Sequence, residues 1–435
     1  MLSLLAVGRQ SRRDRSTQVR YLSSALAASG LIGALLIGGV LYARWMEGRY
    51  VHALASRMFP RPVDSDSFGT ELTIVLQGSA LQAEAFRQPD LLPLYGSSEL
   101  IWRDYQGRFN GSELFRTYPT GFALFPVGKP GTPALAILQD LVAIGGELTG
   151  KKVAISLSPA WLRNSSQDEH SHYGGNFSRL HAGELAFSTD LTFDLKHDAA
   201  QRMLDFPATL ESDPLLKFAL ERLADGSPKS RAVYYAVLPL GKLQNLVLRL
   251  QDHWETLALI RGQPDLAPDV QRRAAALDWQ SLQTEAARMA QAQARERAQK
   301  SSTEASPESS GDRQFLQRVR QSAEWTDLDL LMRGLAQLGA RPIILSQPLA
   351  GAAFDHLRVR RSAREAYYER FRKVTRPYGV PVIDFAEHDE DPFFVVNVRS
   401  HLSAKGWAFF DQALDAFYHG ADSGPTARVD AGRVR

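Results

Sequence analysis

The stretch LLPLYGSSEL, residues 91–100, decides how the rest of the chain is read. An apolar run ends in Gly96, and Ser97 and Ser98 follow before Glu99. The run reads as a buried strand, with Pro93 at odds with a central position because proline cannot donate to a ladder. Gly-Ser-Ser-Glu reads as a strand-to-helix turn in which a serine caps the helix. A serine held on such a turn is also where a nucleophile would stand. The surrounding elements have to decide between the two.

Downstream, FALFPVG (122–128), KKVAISLSP (151–159), RPIILSQP (341–348) and VPVIDF (380–385) read as further strands. Between them lie helical patterns: ALAILQDLVAIGGEL, DLDLLMRGLAQLGA, SAREAYYERFRKVTRPYG and the closing GWAFFDQALDAFYHG. Upstream, ELTIVLQGSA (71–80) is one more strand candidate, and ELIWRDY after the turn begins a helix. Strands that alternate with helices predict an α/β fold, with a parallel sheet between two helical layers.

Ligands of such sheets bind at the carboxyl ends of the strands. Those ends carry GSSE, GKPG, SLSPAW and SQP, and the segment after the last strand leads into NVRSHLSAKGW, residues 397–407. His401 stands just before the closing helix, with Ser403 as a candidate cap. Serine needs a base to lose its proton as it attacks an acyl carbon, and a histidine from the far end of the sheet can supply one. The other histidines need no role; His170 and His172 are read as part of a polar loop. HExxH and phosphate-loop signatures are absent, and GKPG lacks the Lys-Ser or Lys-Thr that would complete a phosphate loop, so no metal and no cofactor is expected.

The N-terminus predicts a membrane anchor. Residues 21–43 carry no charge, about 23 residues against the ~20 that a spanning helix needs. Arg9, Arg12, Arg13, Arg15 and Arg20 precede them, which puts the N-terminus in the cytoplasm and the remainder outside. Tyr21, Tyr42 and Trp45 can anchor the two interfaces. The run is longer than the core of a signal peptide, and ALA at 25–27 lies at the wrong end of it for cleavage. A net charge of +3 spread over 435 residues is no nucleic-acid footprint. Cysteine is absent, which excludes disulfides, thiolate metal sites and a cysteine nucleophile.

These readings divide the chain into a basic cytoplasmic tail (1–20), the anchor (21–44), a connector (45–70) and the first part of a catalytic domain (71–250). A polar helical insertion and linker (251–312), the second part of the domain (313–420) and a disordered tail (421–435) follow.

GSSEL (96–100), LSPAWL (157–162), NFSRL (176–180), LSQP (345–348), AYYERFR (366–372) and HLSAKGW (401–407) occur in the order seen in the DltD family. That family works in D-alanylation of bacterial cell-surface polymers and is similar to SGNH hydrolases. The resemblance implies a three-layer SGNH-like fold, with Ser98 as nucleophile and His401 as base. It implies that Ser97 replaces the acidic neighbour of the nucleophile. It aligns Gly131 with the glycine of the oxyanion hole. LSPAW falls where the third block would lie and offers no Asn as a side-chain oxyanion donor. The acid expected three residues before the histidine is Val398, with Asn397, Asp389 and Asp391 nearby in sequence. Either a dyad operates or another acid orients His401.

By the same resemblance the chain is a membrane-anchored acyltransferase or esterase in the cell (inner) membrane, with its catalytic domain outside the cytoplasm. Its partners are a D-alanyl donor system, a membrane-bound O-acyltransferase and an envelope polymer acceptor, either lipoteichoic acid or a Gram-negative surface glycan. The alanine- and arginine-rich composition leans toward the glycan. Two alternatives stay open: a non-catalytic partner of the O-acyltransferase, and a carbohydrate O-acyl esterase.

Overall fold

The computed structural model describes residues 2–57, 78–100, 107–163, 166–262, 275–300, 311–397 and 401–420. Its centre is a sheet of strands β1 (Leu91–Tyr95), β2 (Ala123–Val127), β3 (Lys152–Leu157), β4 (Arg341–Ser346) and β5 (Val382–Ile383). All neighbours are parallel, in the order β2-β1-β3-β4-β5. The strands are those expected from the apolar runs. Pro93 is tolerated because β1 pairs with β2 along its whole length but with β3 only at Leu94 and Tyr95. The missing N–H therefore falls before that second ladder begins.

Alternation along each strand feeds two cores. Leu91, Tyr95, Val153, Ile155 and Ile344 face the helices Ala134–Ile144 and Glu324–Gln337. Leu92, Leu94, Ala154, Ile343 and Leu345 face the closing helix Ala404–His419 through Trp407 and Phe410. The result is the expected three layers, helix–sheet–helix. Order 2-1-3-4-5 reverses direction beside β1, and a crevice at the carboxyl ends of the strands is the place where such sheets bind ligands.

Outside the sheet the structure departs from the sequence reading in particular places. Of ELTIVLQGSA, residues 71–77 lie outside the described residues, and Ser79 and Ala80 open the helix Ser79–Arg87. The helix expected from ELIWRDY is a single tight turn, Ser98–Leu100, and 101–106 lie outside the described residues. His170 and His172 sit on the helix Ser166–Asn176 rather than in a loop. In the expected insertion, Trp279–Lys300 forms a helix laid against Ala404–His419, with Trp279 Nε1 donating to Asp415 (3.1 Å). The linker at 301–310 and the tail 421–435 lie outside the described residues.

At the N-terminus one helix runs from Leu2 to Arg57. It includes the one described helix long and apolar enough to cross a membrane, Tyr21–Ala55. Residues 45–57, read as the start of a connector, continue it: Val51, Leu54 and Ala55 are buried in the core. An apolar face extends past the end of the charge-free run, so the helix docks instead of breaking.

Candidate active site

Ser98 opens the turn after β1, and His401 reaches it from the segment before the closing helix. Ser98 Oγ lies 2.9 Å from His401 Nε2. Ser98 is half-buried and His401 buried. This is the separation of a nucleophile from its general base.

His401 is fixed by backbone pairing. Val395 and Leu402 form an antiparallel bridge, Val396 N donates to His401 O (2.8 Å), and Ser403 N donates to Phe394 O (3.0 Å). Ser403 also caps the closing helix by accepting from Gly406 N (3.2 Å), as its position in the sequence predicts. Gly406 is required there because a Cβ would lie 2.4 Å from Phe394 O.

Asn397 occupies the far side of the imidazole: Nδ2 is 3.0 Å from His401 Nδ1, and Oδ1 accepts from His401 N at 3.4 Å. Val398, where the acid was expected, lies outside the described residues. The two nearby aspartates are engaged elsewhere. Asp391 pairs with Lys405. Asp389 accepts from Arg364 Nε (2.8 Å) and Tyr368 Oη (2.9 Å). Its backbone carbonyl accepts from Gly351 N (2.8 Å). Arg364 and Tyr368 thus hold the base of the loop that delivers Asn397 and His401, which gives a structural reason for Tyr368 in the AYYERFR motif.

Ser97 faces the other way. Its Oγ accepts from Gly131 N (3.0 Å) and Thr132 N (3.2 Å) and donates to Lys129 O (3.4 Å). The Gly131 N–H therefore points at Ser97. It could meet an oxyanion only by exchanging that partner. The two loops approach closely: Gly96 N donates to Val127 O (2.9 Å), and a Cβ on Gly128 would collide with Gly96 O at 2.1 Å. Gly128 also has a φ of 153°, which glycine alone adopts comfortably. Asn176 of the NFSRL motif braces the same loop, accepting from Thr132 Oγ1 at 2.8 Å.

Glu99 turns inward and is buried. Its Oε1 accepts from Ser97 N (2.9 Å) and Ser156 Oγ (2.7 Å), and Gln347 Nε2 donates to Ser156 Oγ (2.8 Å). This chain ties the ends of β1, β3 and β4 together beneath Ser98. Burial pushes the Glu99 carboxyl above its ordinary range, against these hydrogen bonds, which favour the charged form. In sequence Glu99 belongs to the turn that leads into the expected helix, and the structure buries it instead.

His172, expected in a polar loop, stands beside this site. It packs against Gly131, where a Cβ would be 2.6 Å from its ring, and edge-to-face on Trp161 of LSPAW at 4.6 Å. Among the described residues no group of His, Asp and Glu side chains is arranged to hold a metal ion.

Over residues 70–419 the chain matches the family model described as DltD protein. It is 27% identical over 352 residues to Protein DltD of Bacillus subtilis (strain 168), covering 79% of this chain and 86% of that one. It is 23% identical over 352 residues to Protein DltD of Staphylococcus aureus (strain NCTC 8325 / PS 47), covering 78% and 84%.

Proposed function

This chain belongs to the DltD family, and from that premise we propose that it is a membrane-anchored serine acyltransferase that places D-alanine in ester linkage on an envelope polymer. The observation that carries the reading is Ser98 Oγ at 2.9 Å from His401 Nε2, at the carboxyl edge of the sheet. In the first half-reaction Ser98 Oγ attacks the D-alanyl carbonyl of the donor while His401 Nε2 takes its proton. The tetrahedral adduct collapses, and His401 returns the proton to the leaving group. In the second half a hydroxyl of the acceptor gives its proton to His401 and attacks the acyl-serine, and the adduct collapses as His401 passes that proton to the departing Ser98 Oγ.

Asn397 sets which tautomer is available. With its NH₂ on Nδ1, Nε2 carries the proton and donates to Ser98. A half-turn of the amide puts the carbonyl on Nδ1–H and frees the Nε2 lone pair for the Ser98 proton. The second state is the reactive one. The apolar N-terminal helix is compatible with a single-pass anchor. With the arginines of the tail inside, the site faces the exterior, where donor carrier, O-acyltransferase and polymer meet.

The test is ester-linked D-alanine in envelope extracts of cells lacking the native protein and complemented with variants. Ser98→Ala and His401→Ala each reduce it to background while the protein stays in the membrane. The double variant is no worse, because one nucleophilic unit is being removed twice. Wild-type levels with Ser98→Ala refute the reading in favour of a non-catalytic partner.

A further inference from the structure

The large apolar side chains that stand exposed among the described residues fall in two places, with Phe218 as the exception. One is residues 21–45 of the N-terminal helix. The other is the helix Pro228–Arg261, where Tyr235, Leu240, Leu243, Leu246, Val247 and Trp254 are each 50–57% exposed. Steps of three and four place Leu240, Leu243, Leu246/Val247 and Trp254 along one stripe. A soluble surface scatters such residues singly, and a continuous stripe marks a contact.

The opposite face cannot exchange with it. Gly241 lies where a Cβ would be 2.4 Å from Phe187, and Gly183 presses on Asn245, its own Cβ position 2.5 Å from Oδ1. Asp252 accepts from Ser79 Oγ (2.8 Å) and Ala80 N (2.7 Å). The helix is therefore locked with its apolar stripe outward.

The stripe meets the anchor. Trp254 Cζ2 is 3.3 Å from the Cβ position of Gly39, inside the charge-free run. Arg261 lies 5.6 Å over the Tyr42 ring, and His253 Nδ1 is 2.7 Å from Glu47 Oε1. Gly39 is four residues below the end of that run at Ala43, about 6 Å along the axis at 1.5 Å per residue. A side chain touching Gly39 is then at the depth of the headgroup–acyl boundary, where an amphipathic helix lies in the plane with its apolar face buried about 5–10 Å.

We infer that the helix Pro228–Arg261 is a second membrane contact, lying in the bilayer interface with its Tyr235–Trp254 stripe seated among lipid acyl chains. The inference rests on the reading of residues 21–43 as a membrane span. The continuous helix into Val51 and Leu54 gives one fixed point and the in-plane helix the other, so the catalytic domain is held at one height and tilt over the lipid.

The chain has no cysteine, so single cysteines can be spin-labelled without background. The full-length protein carrying Leu243→Cys, Val247→Cys, Leu35→Cys or Arg361→Cys is reconstituted into liposomes of phosphatidylcholine and phosphatidylglycerol. Collision with oxygen and with an aqueous nickel chelate is then measured. Leu35 reports the span and Arg361 the water. Labels at 243 and 247 are expected to show an oxygen-to-nickel ratio several-fold above that at 361, approaching that at 35. If the label at 35 is in lipid while those at 243 and 247 match 361, the in-plane contact is wrong and the span stands. If the label at 35 is aqueous too, the span reading fails and takes this inference with it. Protection at 243 and 247 only after a membrane O-acyltransferase is co-reconstituted would give the stripe to a protein partner and overturn the lipid assignment.

Discussion

Asn397 Nδ2 stands 3.0 Å from His401 Nδ1, on the opposite side of the ring from Ser98. A carboxylate in that place would accept from Nδ1–H only. An amide can either donate or accept, so its orientation selects the tautomer while the ring stays in place.

Asn397→Ala should therefore lower the rate of acyl transfer on the order of 10²-fold, the cost of a misplaced group near the reacting atoms. Asn397→Asp should restore Nδ1–H and also stabilise the imidazolium. A stabilised charged form raises the histidine pKa, so the base is lost at higher pH. The acid limb of the pH–rate profile should move up in pH. An unmoved limb would mean that position 397 does not sense the ring.

Ser97→Ala should leave more activity than Ser98→Ala, because its hydroxyl is committed to Gly131 N and Thr132 N. Gly131 N would lose its acceptor, at a cost of about 1–3 kcal/mol if it stays dry, whereas Thr132 N keeps Lys129 O at 3.2 Å. Thermal unfolding of the full-length protein in detergent reports this loss beside the residual activity. An equal loss of activity in the two variants would give Ser97 a part in the chemistry.

Arg364 and Asp389 form a buried pair at the base of the loop that carries His401. Arg364→Met strands a carboxylate, and removing one member of such a pair costs about 3–5 kcal/mol. The melting temperature should fall, and in the fraction that stays folded the acyl transfer rate should fall as His401 loses its placement. A stable and fully active variant would show that the backbone bridge at Val395 and Leu402 holds the loop unaided.

Glu324 accepts from the first helical N–H at Ala134, two residues past Thr132. Burial, with the neighbouring Asp327 charge, pushes its carboxyl up to about 8. In the unfolded chain the same group titrates near 4.5. The folded state thus holds a proton that the unfolded state has lost, and stability declines as pH rises from about 4.5 to about 8. Glu324→Gln removes this decline, so its melting temperature relative to wild type should rise across that window. A constant difference would show that the carboxyl is charged in the folded protein.

The sheet was legible because its strands are near-continuous apolar runs between Gly- and Pro-rich turns, the pattern of parallel strands buried on both faces. Ser98 and His401 were legible because both sit directly at strand or helix ends, where sequence position and spatial position coincide. Glu99, Asn397 and His172 were not given their places. Each acts through contacts with residues distant in the chain, such as Ser156 and Gly131, or through a ring orientation that spacing does not encode. The stripe on Pro228–Arg261 was missed for a related reason: its apolar period is ordinary, and only the packing of the other face shows that it stays outward.

The central claim is that Ser98 carries the acyl group. The full-length protein in detergent is mixed with a small-molecule D-alanyl thioester, quenched in acid and mapped by peptide mass spectrometry. A D-alanyl adduct on the peptide containing Ser98 is predicted, absent in Ser98→Ala and strongly reduced in His401→Ala. An adduct on a different residue, or none on a protein that restores envelope D-alanylation in cells, would contradict it.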